Sequence, residues 1–541
     1  MKTQSDAPSA EVVDLIVVGA GINGLGIVRD AAERGLSVVL VEQEDICHGV
    51  SAWSGRLIHG GLRYLEHYDF GLVRESLRER ERLFKVAPHL VRPVSLIMPF
   101  YSKNTRPSWL IRMGMLAYDV LSFDKSVPWH KVLSKQRISE RFTGMEQEGL
   151  SGAAVFIDGQ VEYAERLLVE LAVAAADAGA AIRLHEKVSG VITEGDTVVG
   201  VTTERDGQTD TIRGRLVINA AGPWVDRVTG QHEGSSSSPR LIGGSKGSHI
   251  IVDPFPGAPN DVVYYESQSD GRLVLVIPWM GRYLIGCTDI LFDGEPDSAR
   301  ANSDEIAYLL NETNTLMPNA NLTLDDVLYT YSGVRPLPYV PGVKEWKIPR
   351  SHIVHDHASE GYKNFMSIVG GKLTTYRQLA EDATDIAMKR LTGKKGSPVS
   401  KNQPFPGALS NPSALRDSLR DSSGLDDDVV DRLIDIYGQR AVDVVRMAAE
   451  NDALRERFDP NSSAIAAELV FGVEKEFAET LTDLFARRLL LAFHPDHGLA
   501  AVERAAEIVA PYRGWKSSDT KENIKQYRQW LDHLRVPQAV S

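Results

Sequence analysis

The apolar positions of this chain fall into runs and stripes that predict alternating strands and helices. Val12 to Val18 is a continuous, β-branched run, the pattern of a strand buried on both faces. GAGINGLG (Gly19 to Gly26) follows, and Ile27 to Gly35 reads as a helix stopped by a glycine. Ser37 to Val41 is a second buried strand, ending at Glu42. The chain therefore opens on a βαβ unit.

Leu72 to Val86 is dense in charge around one apolar stripe and predicts a solvated helix closed by Pro88. Val161 to Ala178 reads as a second long helix, leading into short alternating strands from Ala181 to Thr203 and a buried strand Leu216 to Ala220. Between Leu241 and Val354, strand-like runs (HIIV, RLVLVIP, YLIGCTDI, VLYTYSGV) broken by Gly and Pro predict an antiparallel sheet. Phe365 to Val369 is a short strand, and GGK opens a helix from Leu373 to Leu391. Gln231 to Arg240 reads as a low-complexity loop and Thr392 to Ala414 as a linker, after which the chain is helical almost to its end.

Composition narrows the classes. A 541-residue chain with 43% hydrophobic and 25% charged residues is globular and multi-domain, not fibrous or disordered. A net charge of −13 repels nucleic acid and anionic lipid head groups on average, so an anionic ligand must meet a local cluster of positive charge. Cys47 and Cys287 are too few for a disulfide framework or a cysteine zinc site and fit a reducing compartment. No apolar stretch reads as a signal peptide or reaches the eighteen residues of a membrane span.

Gly19, Gly21 and Gly24 form G-x-G-x-x-G between strand and helix, and Glu42 follows eighteen residues after the last glycine. The first glycine makes the tight turn, the second admits a pyrophosphate and the third allows close helix–strand packing. The helix N-terminus after this loop offers N–H groups to phosphate, with Ile22 and Asn23 in the loop expected at the cofactor, and Glu42 would accept from a ribose hydroxyl. The motif alone does not separate FAD from NAD. Its place at the start of the chain, with a returning segment near residue 370, leans to FAD.

With SGRLIHGGLRYLEHYDFGLVRESLRER (Ser54 to Arg80) the sequence resembles the FAD-dependent, quinone-linked glycerol-3-phosphate dehydrogenases. NAAGPWVD, KGSHIIV, VIPWMGRYLIGCTD, YSGVRPL, GGKLTTYR and LTDLFARRLLL extend the resemblance in order from residue 12 to about 515. It implies an α/β, Rossmann-like FAD domain of the amine-oxidase-like type (residues 12–95, 151–230 and 351–392), a cap or membrane-facing segment (96–150), an antiparallel-sheet substrate cap (240–350), a linker (393–414) and an α-helical C-terminal domain (415–541). Trp53, Gly55 and Arg56 depart from the small polar residues and lysine usual before LIHGG.

The implied reaction oxidises glycerol 3-phosphate to dihydroxyacetone phosphate, with hydride passing to FAD and electrons on to quinone. Arg63 and Arg335 would hold the phosphate by bidentate, charge-assisted bonds, with Arg350 as a further candidate. A structural ion pair is the competing fate of either arginine. His249 is the expected general base, His59 the alternative, and Tyr64 a donor to substrate or a wall of the pocket. Lys372 and the Gly370–Gly371 turn would face the flavin's pyrimidine edge, where reduction deposits charge. The resemblance also places Ser54, Leu57, His59, Gly61, Gly222, Trp224, Gly371, Leu373 and Thr374 at the cofactor. Thr374 and Thr375 read equally as helix caps.

His352, His355 and His357 read as solvated edge-strand histidines and not a metal site. Trp109 to Trp129, apolar with Trp at both ends and Lys103 and Arg106 before it, reads as a surface for a bilayer holding the quinone, with an ordinary core-packing helix as the alternative. Alternatives are a glycerol-3-phosphate oxidase using oxygen, an amine-oxidase-like flavoenzyme without a phosphate site, or a nucleotide-binding module lacking catalysis. The expected location is the cytoplasm, at the inner face of the membrane; relatives suggest a homodimer.

Overall fold

The computed structural model describes residues 12–230, 240–343, 348 and 351–537, leaving aside the side chains of Arg63 and His67. Arg350 and most of the low-complexity loop lie outside the described residues.

Two sheets organise the chain. In the first, Val13–Val18 pairs in parallel with Val38–Val41 and with Gln208–Asn219, which pairs in parallel with Phe365–Val369. Ala181–Arg183 extends one edge and Ile353–Asp356, antiparallel, forms the other. Alternation along Val13–Val18 sets the layers. Leu15 and Val17 pack on the helices Ile22–Glu33, Ala164–Asp177 and Tyr376–Thr392. Ile16 and Val18 pack on an antiparallel meander, Lys187–Glu194, Thr197–Arg205 and the outer part of Gln208–Asn219.

In the second sheet the strands between Ile242 and Pro338 pair antiparallel, as the sequence predicts, and earlier strands make the whole sheet mixed. Ile242–Val252 lies between Val327–Pro338 and Arg282–Gly286, both antiparallel to it. The sheet continues through Leu273–Trp279 and Val262–Glu266, which meets Val91–Tyr101 in parallel. That parallel join arises because Val91–Tyr101 and its antiparallel neighbour Leu150–Val161 come from much earlier in the chain.

Three boundaries differ from the sequence pattern. The first helix begins at Ile22, not Ile27, because glycines 24 and 26 pack tightly inside it and do not break it. Val161 ends a strand, and the helix after it starts at Ala164. The last helix of the first unit starts at Tyr376, because Gly370 and Gly371 take φ of +78° and +97° and the chain turns before it can coil.

The residues after 392 are irregular but not a free tether. Phe405 is buried, its N–H donates to Val86 O (2.8 Å), and Gly407 N–H donates to Glu170 (2.9 Å). Helices Pro412–Ser423 to Ser517–Trp530 then pack around two apolar cores.

Candidate active site

The carboxyl ends of the parallel strands open on a cavity of about 820 Å³ whose far wall is the second sheet. This is where open α/β sheets bind ligands, because loops diverge there and helix N-termini converge.

At one end, the loop after Val13–Val18 is held tight. Gly19 has φ +107°, and a Cβ on Gly24 would lie 1.9 Å from Gly19 O, so only glycine lets the helix approach. Gly24 is thus a packing residue off the cavity wall, whereas Gly19, Gly21, Ile22 and Asn23 line it. A Cβ on Gly21 would meet only Ser51 Oγ, at 3.6 Å, so space remains beside a helix N-terminus whose N-cap glycine has no side chain of its own. Ile22 N–H donates to Ser51 Oγ (3.2 Å). Glu42 lines the same end, its carboxylate accepting from Ala20 N–H (2.7 Å) and Glu44 N–H (3.0 Å). Burial pushes its pKa up. Gly222 and Trp224, after the strand Gln208–Asn219, close this side.

At the other end, side chains converge from distant segments. His249 and Arg335 share the cavity face of adjacent strands, in register opposite Tyr331 and Ser245. Two glycines make room: a Cβ on Gly286 would lie 2.2 Å from the His249 ring, and one on Gly247 2.2 Å from Arg335 Nη2. Arg335 bonds Asp289 Oδ1 (3.1 Å) and Cys287 Sγ (2.9 Å). The ion-pair fate is therefore realised, yet Arg335 and Cys287 still line the cavity. His249 Nδ1 is buried without a partner. Burial, Arg335 and Arg56 lower its pKa to about 3, so the imidazole is neutral.

His59 is also held neutral by burial. Its Nδ1 accepts from Gly61 N–H (3.1 Å) and its own N–H donates to Thr374 Oγ1 (3.2 Å). Thr374 thus ties two segments together and caps no helix. Gly61 lies off the wall: at φ +75° it admits the Tyr64 ring, which a Cβ would meet at 2.1 Å. Lys372 Nζ stands 4.0 Å over that ring and donates to Ser76 Oγ (3.4 Å). Ser54, Leu57, Gly371, Leu373 and Thr374 complete the wall between the two ends. The Arg63 side chain lies outside the described residues.

Arg56 points elsewhere. Fully buried, it pairs with Glu165 (2.6 Å) and lies over Trp279, Tyr331 and Phe493, so it serves packing and not the cavity wall. His357 is buried, not solvated: Nδ1 and Nε2 bond Glu360 (2.7 Å) and Ser367 (2.8 Å), while His355 bonds Glu360 (2.6 Å).

The donor set fits FAD. A cleft beside a glycine-capped helix N-terminus suits a pyrophosphate, the Glu42 carboxylate suits a ribose, and Asn23 Oδ1 is buried without a partner beside the Gly370–Gly371 turn. A family model described as FAD dependent oxidoreductase matches residues 14–377, and one described as the C-terminal domain of alpha-glycerophosphate oxidase matches 398–520. A glycerol-3-phosphate dehydrogenase from Synechocystis sp. is 44% identical over 97% of both chains. The chain belongs to the FAD-dependent glycerol-3-phosphate dehydrogenase family. A D-erythritol 1-phosphate dehydrogenase from Brucella abortus is 36% identical over 92% of this chain and 97% of its own. The crystal structure of the glycerol-3-phosphate dehydrogenase from Bacillus halodurans, complexed with FAD, superposes with TM-score 0.79 over 98% of this chain and 97% of that one, at 27% identity. This enzyme therefore uses FAD, on an α/β Rossmann-like domain with a sheet-bearing cap and a helical C-terminal domain.

Several cavity residues escaped sequence reasoning. Cys287 and Asp289 flank Arg335 from 46 to 48 positions away, and only the LIGCTD block signalled that region. Lys187, Val188 and Arg227 line the Glu42 end from segments without a motif.

Proposed function

We propose that the enzyme oxidises sn-glycerol 3-phosphate at carbon 2 to dihydroxyacetone phosphate and passes the electrons to a membrane quinone. The observation that carries this reading is a single cavity joining a dinucleotide-shaped end to a cluster of Arg335, Lys372 and His249. Bound FAD supplies the hydride acceptor.

Arg335, buried on the cavity wall beside Asp289 and Cys287, supplies positive charge to the phosphate, and Arg63, in the family block GGLRYLE, joins it. Two arginines and Lys372 give an otherwise acidic protein the local positive field that a dianion requires. His249 takes the hydroxyl proton on its imidazole. A base with pKa about 3 is weak in the free enzyme, but a phosphate beside Arg335 offsets one of the two charges that depress it. Substrate binding thereby makes its own base stronger. Lys372 and the Gly371 turn would offer positive charge and an N–H donor to the flavin's pyrimidine edge, and Tyr64 would orient substrate under the Lys372 ammonium.

The acceptor reading draws on the surface. Helix Ser108–Leu121 buries Ile111, Met115 and Tyr118 yet exposes Trp109, Met113, Leu116 and Val120 along its outer side, continued by Phe123 and Trp129. Lys103 and Arg112 are exposed beside this stripe. Apolar surface rimmed by positive charge suits an anionic bilayer. Among the described residues no helix is long and apolar enough to cross a membrane, so attachment at the cytoplasmic face would be peripheral.

Oxygen as acceptor is the second reading, favoured by the match of residues 398–520 to the oxidase's C-terminal domain. Turnover with glycerol 3-phosphate under a ubiquinone analogue or under oxygen separates the two. Rapid quinone reduction with dihydroxyacetone phosphate as product supports the dehydrogenase; peroxide formed at the full turnover rate replaces it by the oxidase.

A further inference from the structure

We propose that the helical C-terminal domain is a working part of the FAD site: a buried seam of ion pairs, Asp45–Arg488 and His185–Asp483, holds the turn that carries Glu42 and so sets how tightly FAD is retained. The inference rests on the reading that Glu42 receives the ribose.

Glu42 stands at the head of a turn running to Cys47. Its backbone is stitched to the neighbouring segment: Glu42 N–H donates to Arg183 O (2.9 Å), Glu186 N–H to Glu42 O and His185 N–H to Glu44 O (2.8 Å each). Cys47 N–H returns to Ala20 O (3.1 Å), inside the glycine loop. The turn and the His185 corner therefore move as one piece with the phosphate loop.

The helical domain grips both. Arg488 makes a bidentate pair with Asp45 (2.6 and 2.8 Å), and its Nε donates to Glu476 O (2.8 Å). Asp483 accepts from His185 (2.9 Å) and from the N–H groups of Glu479 and Thr480 (2.9 Å each). Asp45, Asp483 and Arg488 are each at most 1% exposed. Leu484–Arg488 is a π-helical turn, which sets Arg487 as well as Arg488 toward Asp45 (3.5 Å for Arg487). Such turns concentrate at functional sites. Glu476 is itself fixed by Arg166 of the first unit (2.5 and 2.7 Å), so the grip has a rigid footing.

Asp45, His185 and Asp483 bring possible ligand atoms within 4.8 Å of one another. Two guanidinium groups already supply the positive charge there, which makes the cluster an ion network and not a metal site. Removing Arg488 leaves buried Asp45 only the longer contact to Arg487, so the carboxylate must take up a proton or shift with its turn, and either loosens the hold on Glu42.

The test is FAD titration of the apoprotein, followed by flavin fluorescence, for Arg488→Met, Asp483→Asn, Arg488→Lys and, as reference, Glu42→Gln. Circular dichroism at the titration temperature identifies the folded variants. The expected result is a Kd for FAD raised at least tenfold in Arg488→Met and Asp483→Asn and less in Arg488→Lys, while KM for glycerol 3-phosphate at saturating FAD stays within twofold. Wild-type FAD affinity in the folded variants overturns the proposal. So does a KM that rises in step with Kd, or failure of every seam variant to fold, since the seam then serves the whole chain and not the FAD end. Unchanged FAD affinity in Glu42→Gln refutes the ribose reading instead.

Discussion

The two ends of the cavity are built by opposite means. The Glu42 end is built chiefly from backbone: a glycine loop, a helix N-terminus capped by glycine and one carboxylate, all within residues 19–42. The other end is made of side chains, with His59, His249, Arg335 and Lys372 delivered by segments far apart in the chain. A nucleotide needs a shape and donors that only close backbone approach provides, whereas oxidation needs charges and a proton acceptor at chosen points. Steric changes in the glycine loop should therefore break the first end without touching substrate affinity, and charge changes among these four side chains should break the second without losing FAD.

The largest effect is expected from Gly24→Val, because its Cβ would collide with Gly19 O, and backbone cannot step aside. Protein with less than about a tenth of the normal flavin per chain is the expected outcome, measured by visible absorbance. Next, Arg335→Ala should retain flavin and raise KM for glycerol 3-phosphate on the order of 10- to 100-fold, the cost of losing charge-assisted bonds worth about 1.5–3 kcal/mol. If Arg335→Ala instead loses flavin, the division between the ends is wrong.

Two pH measurements sharpen the contrast. Because kcat/KM reports the free enzyme, it should show no His249 limb near 6.5, the imidazole being held at about 3; the limb in kcat should lie higher, since bound phosphate offsets Arg335. At the Glu42 end, Asp483 and Asp45 raise the pKa of His185 to about 9 against the opposing effect of burial, which comes first in size. Its folded value exceeds the free value of 6.5, so the pair's stabilisation is complete below pH 6.5 and lost as pH climbs through about 9. Thermal melting should drop by a few degrees across that interval and do so less in His185→Gln. The smallest effect on turnover belongs to the outer stripe. Replacing Trp109, Met113 and Leu116 with Ser should abolish co-sedimentation with anionic vesicles and leave kcat with a soluble acceptor within about twofold.

This asymmetry also explains what could be read in the sequence. The glycine loop and Glu42 lie within one contiguous stretch, so local spacing carries their geometry. His249, Arg335 and Lys372 were legible only through resemblance to a family, because nothing local shows that strands Ile242–Val252 and Val327–Pro338 pair with Arg335 beside Ser245. The partners that define them stayed hidden. Asp289 is 46 positions from Arg335, and Asp45 is 443 from Arg488. Gly286 and Gly247 read as ordinary strand glycines until the neighbours that need their space are in place. Leu150–Val161 was obscured because an apolar strand running into an alanine-rich helix has no punctuation between them.

The most direct measurement is anaerobic: the purified yellow protein is mixed with sn-glycerol 3-phosphate and its visible spectrum followed. Prompt, stoichiometric bleaching of the flavin bands with dihydroxyacetone phosphate in the supernatant is the expected result. A flavin that stays oxidised at saturating substrate would contradict the reading of the cavity.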